Sequence, residues 1–275
     1  MKTLSIAIYP DSRLTSILHV VVIVAVSVGC HAQTRFFDEE GKPNGAAYGS
    51  VGVAVIRKDT IVVAAESRTI TDGRINPDTA CKITVVDNVV FATTGLLKGN
   101  QTALPILDYA RSVLRGSEQT RYKLQTFQSG ASSLLTSWLN IPEDYDSLVR
   151  SATYRNGHSV HCMFCFFSDG KPVVVKYTFM PSIVGKRFKI GGVYDAGARE
   201  PGEILWIGEY EQSDALLKND PLFAKKIDEE NALLAAETLI QKQMEFTPRT
   251  VGGAVDIILV TPNGARWIQK KQNCY

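Results

Sequence analysis

The stretch that decides the fold runs from Gly49 to Gly73 and reads GSVGVAVIRKDTIVVAAESRTITDG. Two β-branched runs, Val51 to Ile56 and Thr60 to Ala65, flank the polar turn Arg57-Lys58-Asp59 and predict a β-hairpin. Working outward, Lys82 to Val86 and Val89 to Thr93 make a second strand pair around Asp87-Asn88.

Pro105 near a start and Gly116 near an end bracket a helix whose Leu104, Leu107, Ala110 and Leu114 share one face. Leu124, Phe127, Ala131, Leu134 and Trp138 then recur at helical spacing and predict a second helix. Another hairpin follows, Cys162–Phe167 with Val173–Tyr177, across Ser168-Asp169-Gly170. Residues 180–202 are punctuated by Gly and Pro and read as a long loop, in a place where it could serve as a lid. Ile204 to Gly208 is a short strand. Asp228 reads as the cap of a helix with Glu229 and Glu230 in its first turn, Lys242 near its end, and Leu233, Ala236 and Ile240 as its buried stripe. Ala254 to Val260 and Arg266 to Ile268 close the chain as a hairpin over Thr261-Pro262-Asn263-Gly264. Strand-rich halves with helices between and after them predict an α+β fold: two sheets packed together and covered by helices, in one domain.

Composition narrows the function classes. Hydrophobic residues at 45% and charged residues at 21% of 275 exclude disorder, collagen and coiled coil. A net charge of +2 gives no field that would draw nucleic acid. Lys2 and Arg13 precede an uncharged stretch, Leu14 to Gly29, which is short for a membrane span and suits an export signal. Cys30-His31-Ala32 offers a cleavage site after Ala32, so residues 1–32 read as a signal peptide. Cys30 after Ser27-Val28-Gly29 also resembles a bacterial lipobox, with Ser27 where Leu is usual, and a lipid anchor at Cys30 is the alternative. The chain is thus expected outside the cytosol, as a periplasmic, secreted or lipid-anchored protein. Gln33 to Gly49 is a polar leader, and the folded domain spans residues 50–275.

Several familiar chemistries fail on inspection. Cys162-Met163-Phe164-Cys165 has redox and zinc spacing, but strand alternation sends its thiols to opposite faces, so they share neither a disulfide nor a metal. No spaced His pair or second CxxC completes a metal site, and none is expected. Tyr48-Gly49-Ser50-Val51-Gly52 misses GxSxG and precedes a strand, and Ser168-Asp169-Gly170-Lys171 matches SxxK only within a hairpin turn. Walker and GxGxxG motifs are absent, and no cofactor is implied.

The block from Gly49 to Leu96, with Cys81-Lys82-Ile83 and FATTGL, resembles proteasome β-type subunits and their N-terminal-nucleophile relatives. Gly252-Gly253-Ala254-Val255-Asp256 followed by IILVTPNGARWI is similar to that family's closing strands. The resemblance implies a four-layer αββα sandwich of two mostly antiparallel sheets. It implies self-cleavage at Gly49-Ser50, which frees Ser50 as a hydroxyl nucleophile with its own α-amine as base, at a pKa of about 7.7–8. Lys82 falls at the family's lysine position, Glu66 at that of the acid orienting it, and Gly95 at that of the oxyanion donor; Arg68 completes the motif. Thr69, Ala80 and Thr93 fall where the family lines its specificity pocket.

The departures are specific. The family's acid is Asp, one methylene shorter than Glu66. Its supporting Asp and Ser fall at Pro248 and Val251, and another supporting Ser falls at Glu209. Gly-Ser also stands at this point in the family's non-catalytic α-type subunits. Two functions therefore stay open: a hydrolase of peptides or small amides, and a catalytically silent relative that binds a partner or builds a homo-oligomer. A third, a thiol-redox role for Cys162 and Cys165, requires those thiols to be exposed.

Overall fold

The computed structural model describes residues 50–71, 74–76, 81–95, 106–139, 160–184 and 187–271. The chain lays down β1 (Val51–Arg57), β2 (Thr60–Glu66), β3 (Thr69–Thr71), β4 (Arg74–Asn76), β5 (Ile83–Val86) and β6 (Val89–Thr94). Helices α1 (Ile106–Leu114) and α2 (Thr120–Leu139) follow, then β7 (Val160–Ser168), β8 (Lys171–Val184), β9 (Arg187–Ala198) and β10 (Ile204–Gly208). Helices α3 (Glu211–Asn219), α4 (Pro221–Glu229) and α5 (Ala232–Phe246) precede the closing strands β11 (Val255–Thr261) and β12 (Gly264–Gln269). Two five-stranded antiparallel sheets result, in the orders β10-β1-β2-β11-β12 and β5-β6-β7-β8-β9, with β3-β4 as a separate ribbon.

The opening hairpin explains how the layers stack. Alternate side chains on a strand face opposite ways, and here both ways are covered. Val51, Val53, Val55, Val62 and Ala64 pack with Ala232, Ala235, Ala236, Leu239 and Ile240 of α5. Their neighbours Ala54, Ile56, Ile61, Val63 and Ala65 pack instead with Ile83, Val90, Ala92, Met163 and Cys165 of the second sheet. The second sheet buries its other face against α1 and α2, where Phe91, Phe127, Phe164, Tyr177 and Phe179 form one aromatic cluster with Ala110, Leu114 and Ala131. Truncating Ile258, fully buried between the sheets, to Ala should cost about 2–5 kcal/mol, the usual range for a core aliphatic. Among the described residues no helix is long and apolar enough to cross a membrane.

The expected hairpins all form, and Asp169 (φ 51°) with Gly170 (φ 72°) makes the tight turn between β7 and β8. Leu135, not Leu134, is the buried residue in the third turn of the α2 stripe. Three expectations are corrected. The loop expected over residues 180–202 is mostly strand: β8 pairs with β9 from Val173–Ala198 out to Val184–Arg187. Gly191, Gly192 and Gly197 sit within the ladder, with Gly192 opposite Phe179, and the Ile190 N–H donates to Thr136 Oγ1 of α2 at 3.1 Å. Asp228 caps nothing, because it lies near the end of α4; Asn231 caps α5, its Oδ1 accepting the Leu234 N–H at 3.0 Å. Helices α3 and α4 were not expected; Asp220 and Pro221 start α4, with Asp220 Oδ1 accepting from Leu222 N and Phe223 N.

Candidate functional site

One end of the two sheets gathers the residues that the sequence singles out. There β1 begins after Ser50, β2 ends at Glu66, β10 ends at Gly208 and β11 begins just past Gly252. From the second sheet, β5 begins after Lys82 and β6 ends at Thr94, just before Gly95.

Glu66 is the hub. Its fully buried carboxylate accepts four hydrogen bonds, which fills the capacity of two carboxylate oxygens. Oε1 takes the Val51 N–H at 3.1 Å and the Lys82 ammonium in a short ion pair. Oε2 takes the Arg68 N–H at 2.7 Å and the Gly252 N–H at 3.1 Å. The side chain thus joins β1, the exit of β2, the approach to β11 and the lysine of the second sheet.

Lys82 is also fully buried. Its Nζ donates to Glu66 Oε1 and to the Arg68 carbonyl at 2.8 Å, and its third N–H has no acceptor among the described residues. Burial lowers its pKa; Glu66 opposes that shift, while Lys271 and Arg68 add to it. The Arg68 guanidinium is engaged with the chain ahead of β11. Its Nη1 donates to the Pro248 carbonyl in a short bond and to the Val251 carbonyl at 3.1 Å, which pins the turn ahead of β11.

Ser50 is buried, and its carbonyl accepts the Glu209 N–H at 2.8 Å. Gly208, paired with Val51, has φ +86°, and a Cβ there would stand 1.9 Å from the Ser50 oxygen and 2.9 Å from Thr94 Oγ1. Only glycine lets β10 approach this closely. Gly95, the residue expected to donate to an oxyanion, leaves β6 in a left-handed conformation at φ +95°.

Among the pocket residues, Thr93 gives its hydroxyl to the His161 carbonyl at 3.0 Å and lies 3.6 Å from Cys162 Sγ. Cys162 belongs to the core beneath α1 and α2, so the Thr93 hydroxyl is engaged on that face. Thr69 is described only as the first residue of β3, and Ala80 and Gly49 lie outside the described residues, as do the signal and leader.

Sequence reasoning missed Thr94. Its hydroxyl is buried with no hydrogen-bond partner, facing the Gly208–Ser50 crossing. An unpaired buried hydroxyl costs about 1–3 kcal/mol of desolvation, so its presence here is notable. Glu209, where the sequence places a departure from the family's supporting Ser, has its carboxyl pKa raised by burial and by repulsion from Glu211 and Glu66, against a hydrogen bond from Thr250. Neither signal is visible without knowing that β10 and β6 meet at Ser50.

His161 pairs with Thr94 across the ladder, its Nδ1 3.2 Å from Thr178 Oγ1; burial and Lys176 push its pKa down to about 4, so it stays neutral. Cys162 and Cys165 are fully buried free thiols on opposite faces of β7, as alternation requires. Burial pushes Cys162 up to about 12 and Cys165 up as well, so the thiol-redox role loses the exposure it needs. Cys81, beside Lys82, is disulfide-bonded. Among the described residues no group of His, Cys, Asp or Glu is placed to hold a metal ion. A pocket of about 370 Å³ lies elsewhere, lined by Thr84, Arg111, Arg115, Trp267 and Lys270 but by none of Ser50, Lys82 or Gly95.

No protein-family model matches this chain, and no curated protein matches it either.

Proposed function

We propose that the protein is an N-terminal-nucleophile amidohydrolase or peptidase, built on the proteasome-like four-layer αββα sandwich, and acting outside the cytosol on peptides or small amides. The observation that carries this reading is the Glu66 carboxylate, which ties the residue after Ser50 to a buried lysine through a single oxygen. In a chain cut before Ser50, the freed α-amine takes the proton from Ser50 Oγ as the oxygen attacks the substrate carbonyl. The Gly95 N–H stabilises the tetrahedral oxyanion, and the ammonium then returns its proton to the leaving amine. Water repeats the sequence on the resulting ester and releases Ser50. Lys82 holds positive charge beside the amine, which keeps the amine's pKa low enough for it to be a free base near neutrality.

A second reading, a silent relative with a binding or oligomer-forming role, is favoured by one observation. Where the family places a supporting Asp and Ser, this chain offers Pro248 and Val251, whose carbonyls are occupied by Arg68. The two readings part at the Gly49–Ser50 bond, because an uncut Ser50 has no amine to act as base. The test is hydrolysis of short peptides capped with a chromogenic amine, comparing the wild type with Ser50→Ala. Release of the amine by the wild type alone supports the hydrolase, and equal inactivity of both supports the silent relative.

A further inference from the structure

The cavity of about 370 Å³ opens between β5, an edge strand of the second sheet, β12, an edge strand of the first, and the end of α1. Small-molecule sites usually measure about 300–1,000 Å³, so its size suits one such ligand. Close contacts hold its walls. Gly264 at the start of β12 approaches the β5–β6 turn so nearly that a Cβ would stand 2.9 Å from Asn88 Oδ1. Arg111 bridges α1 and β5: its Nε donates to the buried Thr84 Oγ1 at 2.9 Å, and its Nη1 pairs with Asp108 at 3.0 Å.

The charge of the cavity is unbalanced. Arg111, Arg115 and Lys270 share the lining with a single carboxylate, Asp87. Arg115 lies one helical turn beyond Arg111, its N–H donating to the Arg111 carbonyl at 3.1 Å, so both side chains leave the same side of α1. Neither Arg115 nor Lys270 has an ion pair among the described residues. A cation at a helix end often serves the helix dipole, but here Lys123 does that, its Nζ donating to the Leu114 carbonyl at 2.6 Å. Lys270 Nζ stands 5.3 Å from the centroid of the Trp267 ring, and that indole with Val85 gives the cavity a flat apolar wall beside its cations.

We propose that this cavity binds a small aromatic anion, its carboxylate or phosphate group taken by Arg115, Lys270 and Arg111 and its ring laid against the Trp267 wall. A guanidinium matches the paired oxygens of such a head group, and bonds between ionised partners are the stronger kind. Arg111 is already oriented by Thr84 and Asp108, so less freedom is lost when the anion enters. A cationic ligand would add to the charge surplus. The site is independent of whether Ser50 is a nucleophile, because none of its lining residues belongs to that centre.

The test is calorimetric titration of the protein recovered from its host with phenyl phosphate and with benzoate, which separates the two head groups, and with benzylamine as a cation of similar shape. The expected result is saturable one-to-one binding of at least one of the two anions, with a Kd of about 1 mM or tighter, and none of benzylamine. Inorganic phosphate, which lacks the ring, should bind at least about tenfold more weakly than phenyl phosphate. Arg115 and Lys270 are exposed, so the double variant Arg115→Gln with Lys270→Gln should fold normally and bind the anion about tenfold more weakly. The change in tryptophan emission on binding should vanish in Trp267→Phe. Failure of both anions to bind saturably, equal binding of benzylamine, or unchanged affinity in the double variant would overturn the proposal. So would inorganic phosphate binding as tightly as phenyl phosphate, or an emission change that persists in Trp267→Phe.

Discussion

Val51 donates its backbone N–H to the same Glu66 oxygen that receives the Lys82 ammonium. One buried atom thereby ties the backbone just after Ser50 to the buried lysine of the second sheet. Replacing Glu66 by Gln would leave Lys82 a buried cation without its counter-ion. The expected loss is about 3–5 kcal/mol, read by urea or thermal unfolding. Glu66→Gln joined to Lys82→Met should recover much of that loss while leaving the protein without activity.

Gly208→Ala tests the closeness of β10 to Ser50. The added Cβ would fall 1.9 Å from the Ser50 carbonyl oxygen, so the strand must move. If Ser50 is the nucleophile proposed above, a displacement of this size should lower amide hydrolysis by about 100-fold or more. The left-handed backbone adds a stability loss of about 1 kcal/mol. Normal kinetics in this variant would mean that Ser50 is not held where the reaction requires it.

Thr94→Val separates stability from function at one atom. The change keeps the shape of the side chain and removes a buried hydroxyl that has no partner, so unfolding should become harder by up to about 1–3 kcal/mol. If the hydroxyl serves the site, hydrolysis should slow even as the melting temperature rises.

His161 predicts a pH dependence. Its folded pKa of about 4 lies below the ordinary 6.5, so the unfolded chain binds a proton first as the pH falls. Its contribution is complete above pH 6.5 and is lost progressively down to pH 4, a total of about 3 kcal/mol. His161→Gln should flatten that part of the stability curve relative to the wild type. Curves that stay parallel from pH 7 to pH 4 would show that the imidazole takes up its proton in the fold.

What could be read in advance follows from where the deciding interactions lie. The hairpin from Val51 to Glu66 and the closing pair from Val255 to Gln269 declare themselves because each is a local run of β-branched residues around a polar turn. Strand β9 was hidden because Gly191, Gly192 and Gly197 look like loop residues, and its order comes from pairing with β8 and contact with α2. Asp228 and Asn231 are both good caps, and only the preceding helix, begun at Asp220 and Pro221, shows which one is used. Glu66 and Lys82 came from a motif match, but the four-fold saturation of Glu66 depends on Gly252, far away in the chain. The unpaired hydroxyl of Thr94 exists only because two sheets meet at Gly208, so no local pattern could announce it.

The central claim is that Ser50 becomes a chain terminus. It is tested most directly by N-terminal sequencing and intact mass of the protein recovered from its host. The account predicts a mature chain beginning at Ser50, with Ser50→Ala retaining the leader. A mature chain beginning at Gln33, or at a lipidated Cys30, would leave Ser50 within the chain without an amine, and would contradict it.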